Sequence, residues 1–352
     1  MAYGKHIFTN LLKEVHHVME YGKFIYLSLA DLEQCGLRDW DQAMEVAEAT
    51  YKEHSKGMYE MPPKPGVHPT TCPGAFLHAM PGYLKESNIC GLKWVGVFGH
   101  NRPKYGIKAL SSLMILNDVE TGYPLAIMEA GIITAVRTAT SSGVSVKYLA
   151  RKDSKVVGLV GAGEQGENNM KLIKYLMPGI DTIKIYDRFP EYAQKLCDQL
   201  HEELGVNAYV VDSFEAALRD SDIFVAAAPI TQFPEPVYRK EWVKPGALIL
   251  PVHSKGWDYE LFANNKFIVD DWNQYSSDMF NPTAGYFGRQ GFPKFEPHAQ
   301  LGEVLLGMKT GRESDDEIII AANMGIALQD ISLGTKLLKV AEEKGLGVTL
   351  SL

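Results

Sequence analysis

The chain has 352 residues, 46% apolar and 22% charged, an ordinary globular composition on a length that exceeds one hydrophobic core, so two domains are expected. Its formal charge of −8, with no clustered Lys/Arg tract, excludes a nucleic-acid partner, which needs a concentrated basic face. Cys35, Cys72, Cys90 and Cys197 are scattered without CxxC pairing, which excludes a disulfide framework or zinc ribbon, and no apolar run reaches the ~20 residues of a bilayer span; a cytoplasmic protein with no membrane partner is expected.

At the start, Phe8, Leu11, Leu12, Val15, Val18 and Met19 recur at helical spacing and predict a short amphipathic helix that packs on the body or on a partner subunit. The run from Lys23, Phe-Ile-Tyr-Leu-Ser-Leu, reads as a strand, and 30–56 as helical segments broken at Gly36. A Pro/Gly-rich loop over 61–74 precedes runs typical of an antiparallel sheet at 75–80, 90–98, 110–117 and 125–129. Asp118-Val-Glu-Thr-Gly-Tyr123 is turn chemistry between the last two and predicts a hairpin. This half is expected to be α+β.

After a helix around 134–148 the rhythm becomes strand, helix, strand. Strands are predicted at 156–160, 183–186, 208–211, 223–227, 248–252 and 267–269, with helices between them, notably 168–176 and 192–204. Continuous apolar strands alternating with helices mean a parallel sheet covered on both faces, an α/β domain. The tail over 325–352 reads as a helix and a last strand, and fits either domain.

Gly161-Ala162-Gly163-Glu164-Gln165-Gly166 follows the apolar run Val-Val-Gly-Leu-Val160 and opens a helix. Three glycines at this spacing are weak evidence alone; the strand before, the helix after and Asp187 at the end of the next strand make them a dinucleotide-binding turn of Rossmann type. Gly161 makes the tight turn, Gly163 admits the pyrophosphate to the backbone, Gly166 lets the helix pack closely, and the helix N-terminus faces the phosphates. Asp187 would accept bonds from the ribose hydroxyls and repel a 2′-phosphate, favouring NAD; Arg188 keeps NADP open.

The acid, base and anchor must lie elsewhere. Lys93, inside the apolar strand Gly91-Leu-Lys-Trp-Val95, either points to solvent or lines a pocket, on the face opposite Leu92 and Trp94. Arg137, in Ile132-Ile-Thr-Ala-Val-Arg137-Thr138-Ala139, needs an anion or an ion-pair partner if buried. Lys64 is a third suggestive cation. The ten histidines show no HExxH or similar spacing, so no catalytic metal is expected.

Together these residues resemble the ornithine cyclodeaminase/mu-crystallin family. The resemblance rests on Met80-Pro-Gly-Tyr83, Gly91-Leu-Lys-Trp-Val95, Asp118-x-x-Thr121-Gly-Tyr-Pro124, Thr134-Ala-Val-Arg137-Thr-Ala139, the 161–166 turn, Trp242-Val-Lys-Pro-Gly246, Leu301-Gly-Glu-Val304 and Gly311-Arg312. It implies a discontinuous substrate-binding and dimerisation domain, 1–150 with 325–352, around a Rossmann domain over 151–324, and a homodimer. It further implies that Lys93 lies beside the substrate's reacting carbon and nitrogen and that Arg137 holds its carboxylate near the nicotinamide. Lys64 is implied on the substrate side and Thr138 and Val252 on the cofactor side; His78, on the strand before Met80, and His253, at the mouth of the cofactor cleft, are secondary candidates on those two sides.

Three departures bear on activity. Lys64 stands where cyclodeaminases carry a carboxylate-binding arginine, replacing a bidentate fork with a point charge. Ala109 stands where members place a threonine near the cofactor. The cyclodeaminase aspartate after the fifth Rossmann strand is missing from Val252-His-Ser-Lys255-Gly-Trp-Asp258, where Lys255 is nearest and Asp258 is offset. The expected activity is therefore an NAD(P)-dependent amino-acid dehydrogenase or ketimine reductase. The alternatives are a deaminating cyclase that recycles NAD and a dinucleotide-dependent small-molecule binding protein. Phe98, His100, Tyr105, Trp272, Tyr275, Tyr286 and Phe287 are candidate pocket aromatics, and 281–298 a candidate lid.

Overall fold

The computed structural model describes residues 22–228, 236–253, 256–277 and 296–352. The N-terminal helix expected before Gly22, Lys255, Tyr286 and Phe287, and nearly all of the candidate lid lie outside the described residues.

In chain order the elements are β1 (Lys23–Leu27), α1 (Leu29–Gln34), α2 (Trp40–Ser55), β2 (Tyr59–Glu60), β3 (Gly66–Val67), β4 (Phe76–Leu84), β5 (Ile89–Val97), α3 (Asn101–Tyr105), β6 (Leu110–Asn117), β7 (Pro124–Glu129) and α4 (Gly131–Leu149). Next come β8 (Val156–Val160), α5 (Glu164–Leu176), β9 (Thr182–Tyr186), α6 (Pro190–Leu204), β10 (Asn207–Val210), α7 (Phe214–Leu218), β11 (Ile223–Ala226) and β12 (Leu248–Pro251). The chain continues through α8 (Tyr259–Ala263), β13 (Lys266–Val269), α9 (Trp272–Ser277), β14 (Ala299–Gln300), α10 (Leu301–Leu305), β15 (Ile319–Ala322), α11 (Ala327–Lys344) and β16 (Val348–Ser351).

Two compact units result. The first takes the residues up to Arg137 together with Ile326–Leu352, and the second takes Thr138–Gly325. The chain thus leaves the first unit inside α4, earlier than the boundary at 150, because composition changes only where that helix ends.

The first unit is one sheet in the order β16-β1-β7-β6-β5-β4-β2, with β3 also on β4. All pairs are antiparallel except β1 with β7, which run parallel; the four runs expected to form an antiparallel sheet do so. The tail pairs here, Lys23 opposite Ser351 and Tyr26 opposite Val348. The β6–β7 hairpin forms as its sequence predicts, with Asp118 Oδ1 accepting from the Thr121 N–H at 2.7 Å and Gly122 at φ 75°.

β4 runs past Met80, where the expected strand stops, through Pro81 and Gly82 to Leu84. The ladder explains the proline. The Ala79 N–H donates to Pro65 O, away from β5, so the N–H that Pro81 lacks would also point away from β5, between β2 and β3. Gly82 is required by packing: a Cβ there would stand 2.9 Å from Leu328 Cδ2 of α11. Gly91, its partner across β5, would meet Ile115 O at 2.6 Å, and on α11 a Cβ at Gly334 would overlap Met114. These three glycines bring α11 down onto β4, β5 and β6.

The second unit is an all-parallel sheet in the order β10-β9-β8-β11-β12-β15-β13-β14, with β8 between β9 and β11. Strand order reverses between β8 and β11, the switch point outside whose carboxyl ends doubly wound sheets bind ligands. β15 enters between β12 and β13; its four residues Ile-Ile-Ala-Ala and the two-residue β14 escape the sequence reading, being too short to show a period. Trp257 and Tyr238, stacked at 4.3 Å, anchor an aromatic core that also holds Tyr275, so Tyr275 packs the interior rather than lining a pocket.

Candidate active site

In the first unit, alternation along β5 sends Trp94 outward and Gly91, Lys93 and Val95 to the face covered by α11. Lys93 therefore does not point to solvent and is 0% exposed. Burial of an ammonium demands a partner, and α11 supplies one: Lys93 Nζ donates to Asp330 Oδ1 at 2.8 Å. Arg137, from α4, donates through Nε to the same oxygen at 2.9 Å. Asp330 is itself 0% exposed, and its Oδ2 has no hydrogen-bond partner among the described residues.

Burial and then the neighbouring Arg137 charge push the Lys93 amine down to about 7, while Asp330 pulls the other way and Lys64 adds to the depression. Lys64 is thus electrostatically part of the cluster, held beside β4 by the bond from Ala79 to Pro65. His78 shares the face: Met80 pairs with Lys93 and His78 with Val95, so His78 sits one position further along. Its ring stacks on Phe76 at 4.4 Å and meets His68 edge-on at 5.8 Å. Among the described residues, Arg137 and Lys64 gather with Lys93 near the Asp330 carboxylate, beside an amine brought to about 7.

In the second unit the glycine turn caps β8. Gly161 has φ 102° and lies so near β11 that a Cβ would be 2.7 Å from Ala228 N. A Cβ at Gly166 would collide with Gly161 O at 2.1 Å, whereas at Gly163 it would meet nothing within 4 Å. Gly163 is also the N-cap of α5 and offers no side-chain oxygen to the first-turn N–H groups. Gln165 Oε1 is buried with no partner among the described residues. Open backbone at a helix N-terminus is what a pyrophosphate requires. Asp187 accepts from the Ala162 N–H at 2.8 Å and the Phe189 N–H at 3.0 Å, which fixes its carboxylate against the turn, and Arg188 lies over the Phe189 ring at 4.7 Å. Val252 and His253 follow β12, and the His253 N–H donates to Ala226 O at the end of β11.

These two constellations, a buried Lys–Asp–Arg cluster on one sheet and a glycine turn on the other, coincide with a family profile. The profile of the ornithine cyclodeaminase/mu-crystallin family matches residues 28–345. The chain belongs to that family. Among similar members, the alanine dehydrogenase of Archaeoglobus fulgidus is 34% identical, covering 91% of this chain and 97% of its own. The Delta(1)-pyrroline-2-carboxylate reductase of Thermococcus litoralis, solved in complex with NADH and L-proline, superposes with a TM-score of 0.83 at 30% identity, covering 92% of this chain and 99% of the other. An archaeal alanine dehydrogenase dimer with bound NAD gives 0.81 at 31% identity, covering 94% and 99%.

Within the family frame, Asp258 resolves one ambiguity. It is the N-cap of α8, with Oδ1 accepting from the Glu260 N–H at 3.1 Å and Oδ2 from the Lys240 N–H at 3.4 Å. Its carboxylate is thus engaged as a local helix cap. Thr138 is half-buried on α4, the residue after Arg137, and the Ala109 carbonyl accepts from the Phe98 N–H at 2.7 Å. His100 meets both Phe98 and Tyr105 edge-on. Asp330 is the site residue that the sequence reading missed; the signal was an acid on the apolar face of α11, followed at helical spacing by Leu333, Gly334 and Leu337. Among the described residues no cluster of three His, Cys, Asp or Glu could hold a metal ion, and no helix is long and apolar enough to cross a membrane.

Proposed function

We propose that this chain is an NAD-dependent oxidoreductase that interconverts an amino acid with its imine or 2-oxo acid, or reduces a cyclic ketimine carboxylate. The observation that carries this reading is Lys93, an amine buried against Asp330 and Arg137 and brought to about 7. The bound nicotinamide would accept a hydride from the substrate's α-carbon as NAD+ in oxidation and donate one to it as NADH in reduction. Lys93 moves the proton at the adjacent nitrogen, as base in oxidation and as acid in reduction. Arg137, with Lys64, holds the substrate carboxylate. The activities named for the alanine dehydrogenase and the pyrroline-carboxylate reductase support the two substrate classes. Gly161, Ala162, Gly163, Glu164, Gln165 and Gly166 would cradle the pyrophosphate, and Thr138, Val252 and His253 stay on the cofactor side of the reading.

The deciding experiment is a screen at the nicotinamide absorbance: L-alanine, L-proline and other amino acids with NAD, then 2-oxo acids plus ammonium and Δ1-pyrroline-2-carboxylate with NADH and NADPH. Net nicotinamide turnover supports the proposal. Ammonia release without net absorbance change means a cyclase, and tight dinucleotide binding with no turnover means a binding protein. The capping role of Asp258 weighs against the cyclase.

Asp187 favours NAD, and stacking of Arg188 on Phe189 withholds that guanidinium from a 2′-phosphate. Asp187→Ser is expected to weaken NADH binding about tenfold and to narrow the preference over NADPH, read by nicotinamide fluorescence titration. An undiminished NADH preference would place the ribose contact elsewhere.

The homodimer is proposed on the outer face of the first unit's sheet. Trp94 and Leu113, paired across β5 and β6, are 42% and 50% exposed, and Val348 and Leu350 of β16 are exposed as well. A second copy would cover such a face, and a similar chain, the archaeal alanine dehydrogenase, was solved as a dimer. Leu113→Glu is expected to halve the mass measured by light scattering; an unchanged dimer would move the interface. A cytoplasmic location is proposed from four thiols that are all unpaired.

A further inference from the structure

Asp330 carries two buried cations on one oxygen and none on the other. We infer that Asp330 is a positioning residue: it locks the Lys93 amine and the Arg137 guanidinium in one mutual orientation and sets the pH range in which Lys93 exchanges its proton. The inference rests on the proposed roles of Lys93 and Arg137.

The geometry is not that of an ion pair built for stability. A guanidinium meeting a carboxylate for strength alone does so as a fork, two N–H groups on two oxygens. Here Arg137 brings Nε to Oδ1, the oxygen already holding Lys93 Nζ, and Oδ2 is left buried without a partner among the described residues. A buried unsatisfied oxygen is destabilising, and such groups persist where function over-determines the arrangement. The support beneath it is rigid. Asp330 lies in the first turn of α11, which Gly82, Gly91 and Gly334 seat directly on the strands that carry Lys93. Next to Asp330, the Gln329 side chain donates to Ala47 O at 3.1 Å and ties the helix to α2. With the carboxylate fixed, both cations are fixed through it, one as proton carrier and the other as anchor.

Among the described residues, the charged and titratable groups around Lys93 are Asp330 from α11, Arg137 from α4 and Lys64 from the segment before β3, with His78 on the same sheet face of β4. Among them Asp330 is the anion, and it opposes the depression caused by burial and by the other cations. Removing its charge therefore lowers the pH at which Lys93 titrates.

The test is Asp330→Asn, which keeps shape and acceptor and removes charge. Two readouts are taken: the pH profile of kcat on the best substrate of the screen above, and 13C NMR titration of lysine labelled at Cε, with Lys93→Met assigning the signal. The expected result is an inflection moved down by roughly one to three pH units in both, with KM for the carboxylate substrate raised on the order of tenfold. Asp330→Glu, which restores the charge but not the reach, is expected to return the inflection towards wild type while KM stays raised. A folded Asp330→Asn enzyme with an unmoved inflection and unchanged KM would overturn the inference and leave a structural pair. Should that variant not fold, Asp330→Glu decides: an unchanged KM overturns the inference, and a raised KM at a wild-type inflection supports it. Failure of the underlying reading is separately visible, as turnover by Lys93→Met.

Discussion

Replacing Lys93 by methionine is expected to cut turnover about 10²- to 10⁴-fold, the usual range for losing a positioned proton carrier, while leaving the fold at least as stable. The two halves of this expectation have one cause. Folding lowers the amine from its ordinary 10.5 to about 7, chiefly by burial. Between those values the unfolded chain binds a proton that the folded chain does not, so stability rises with pH across that window. Below about 7 the folded protein bears the whole burden of a buried ammonium, roughly a few kcal/mol at about 1.4 kcal/mol per pH unit. Methionine removes the burden and leaves Asp330 still paired with Arg137 at 2.9 Å. Urea unfolding should therefore show the variant's advantage over wild type at pH 6 and its disappearance towards pH 10. Oxidation by the wild-type enzyme should rise through pH 7 and reduction should fall, because one needs Lys93 neutral and the other needs it charged. Full turnover by the variant would remove Lys93 from the mechanism.

The two constellations differ in how far the sequence reveals them. The glycine turn is legible because its logic is local: strand, turn, helix and the carboxylate ending the next strand all fall within one βαβ unit. The parallel sheet is legible for the same reason, except at β15, which joins the sheet out of chain order between β12 and β13. Lys93 shows as an anomaly, a cation in an apolar strand, but its direction depends on which face is covered, and α11, 237 residues on at Asp330, covers it. The Arg137 partner is likewise 193 residues away. No period or motif reports a contact at that separation; the buried acid on an apolar helix face is the one trace it leaves. Asp258 illustrates the reverse. Its offset from Val252 leaves its role open in the sequence, and the structure engages it as a local N-cap.

The glycine turn also separates two kinds of glycine that its sequence treats alike. Gly161 and Gly166 are there for the fold: a Cβ at the first would crowd Ala228 N at 2.7 Å with φ at 102°, and one at the second would strike Gly161 O at 2.1 Å. Gly163 has φ −94° and ψ −174°, extended backbone open to any residue, and a Cβ there meets nothing within 4 Å. The space it keeps clear serves no packing purpose within the protein. Gly163→Val is therefore expected to leave the thermal unfolding midpoint within a degree or two of wild type, a change of roughly 0.5 kcal/mol or less. It should weaken NADH binding about 100-fold, some 2.7 kcal/mol, by occupying the approach to the α5 N-terminus. Gly166→Ala should do the opposite, lowering the midpoint because backbone must move to admit the methyl group. Calorimetry for binding and unfolding, run on both variants, distinguishes the two roles. Undiminished NADH affinity in Gly163→Val would move the pyrophosphate off this turn, because no dinucleotide can lie against a backbone that a valine side chain shields.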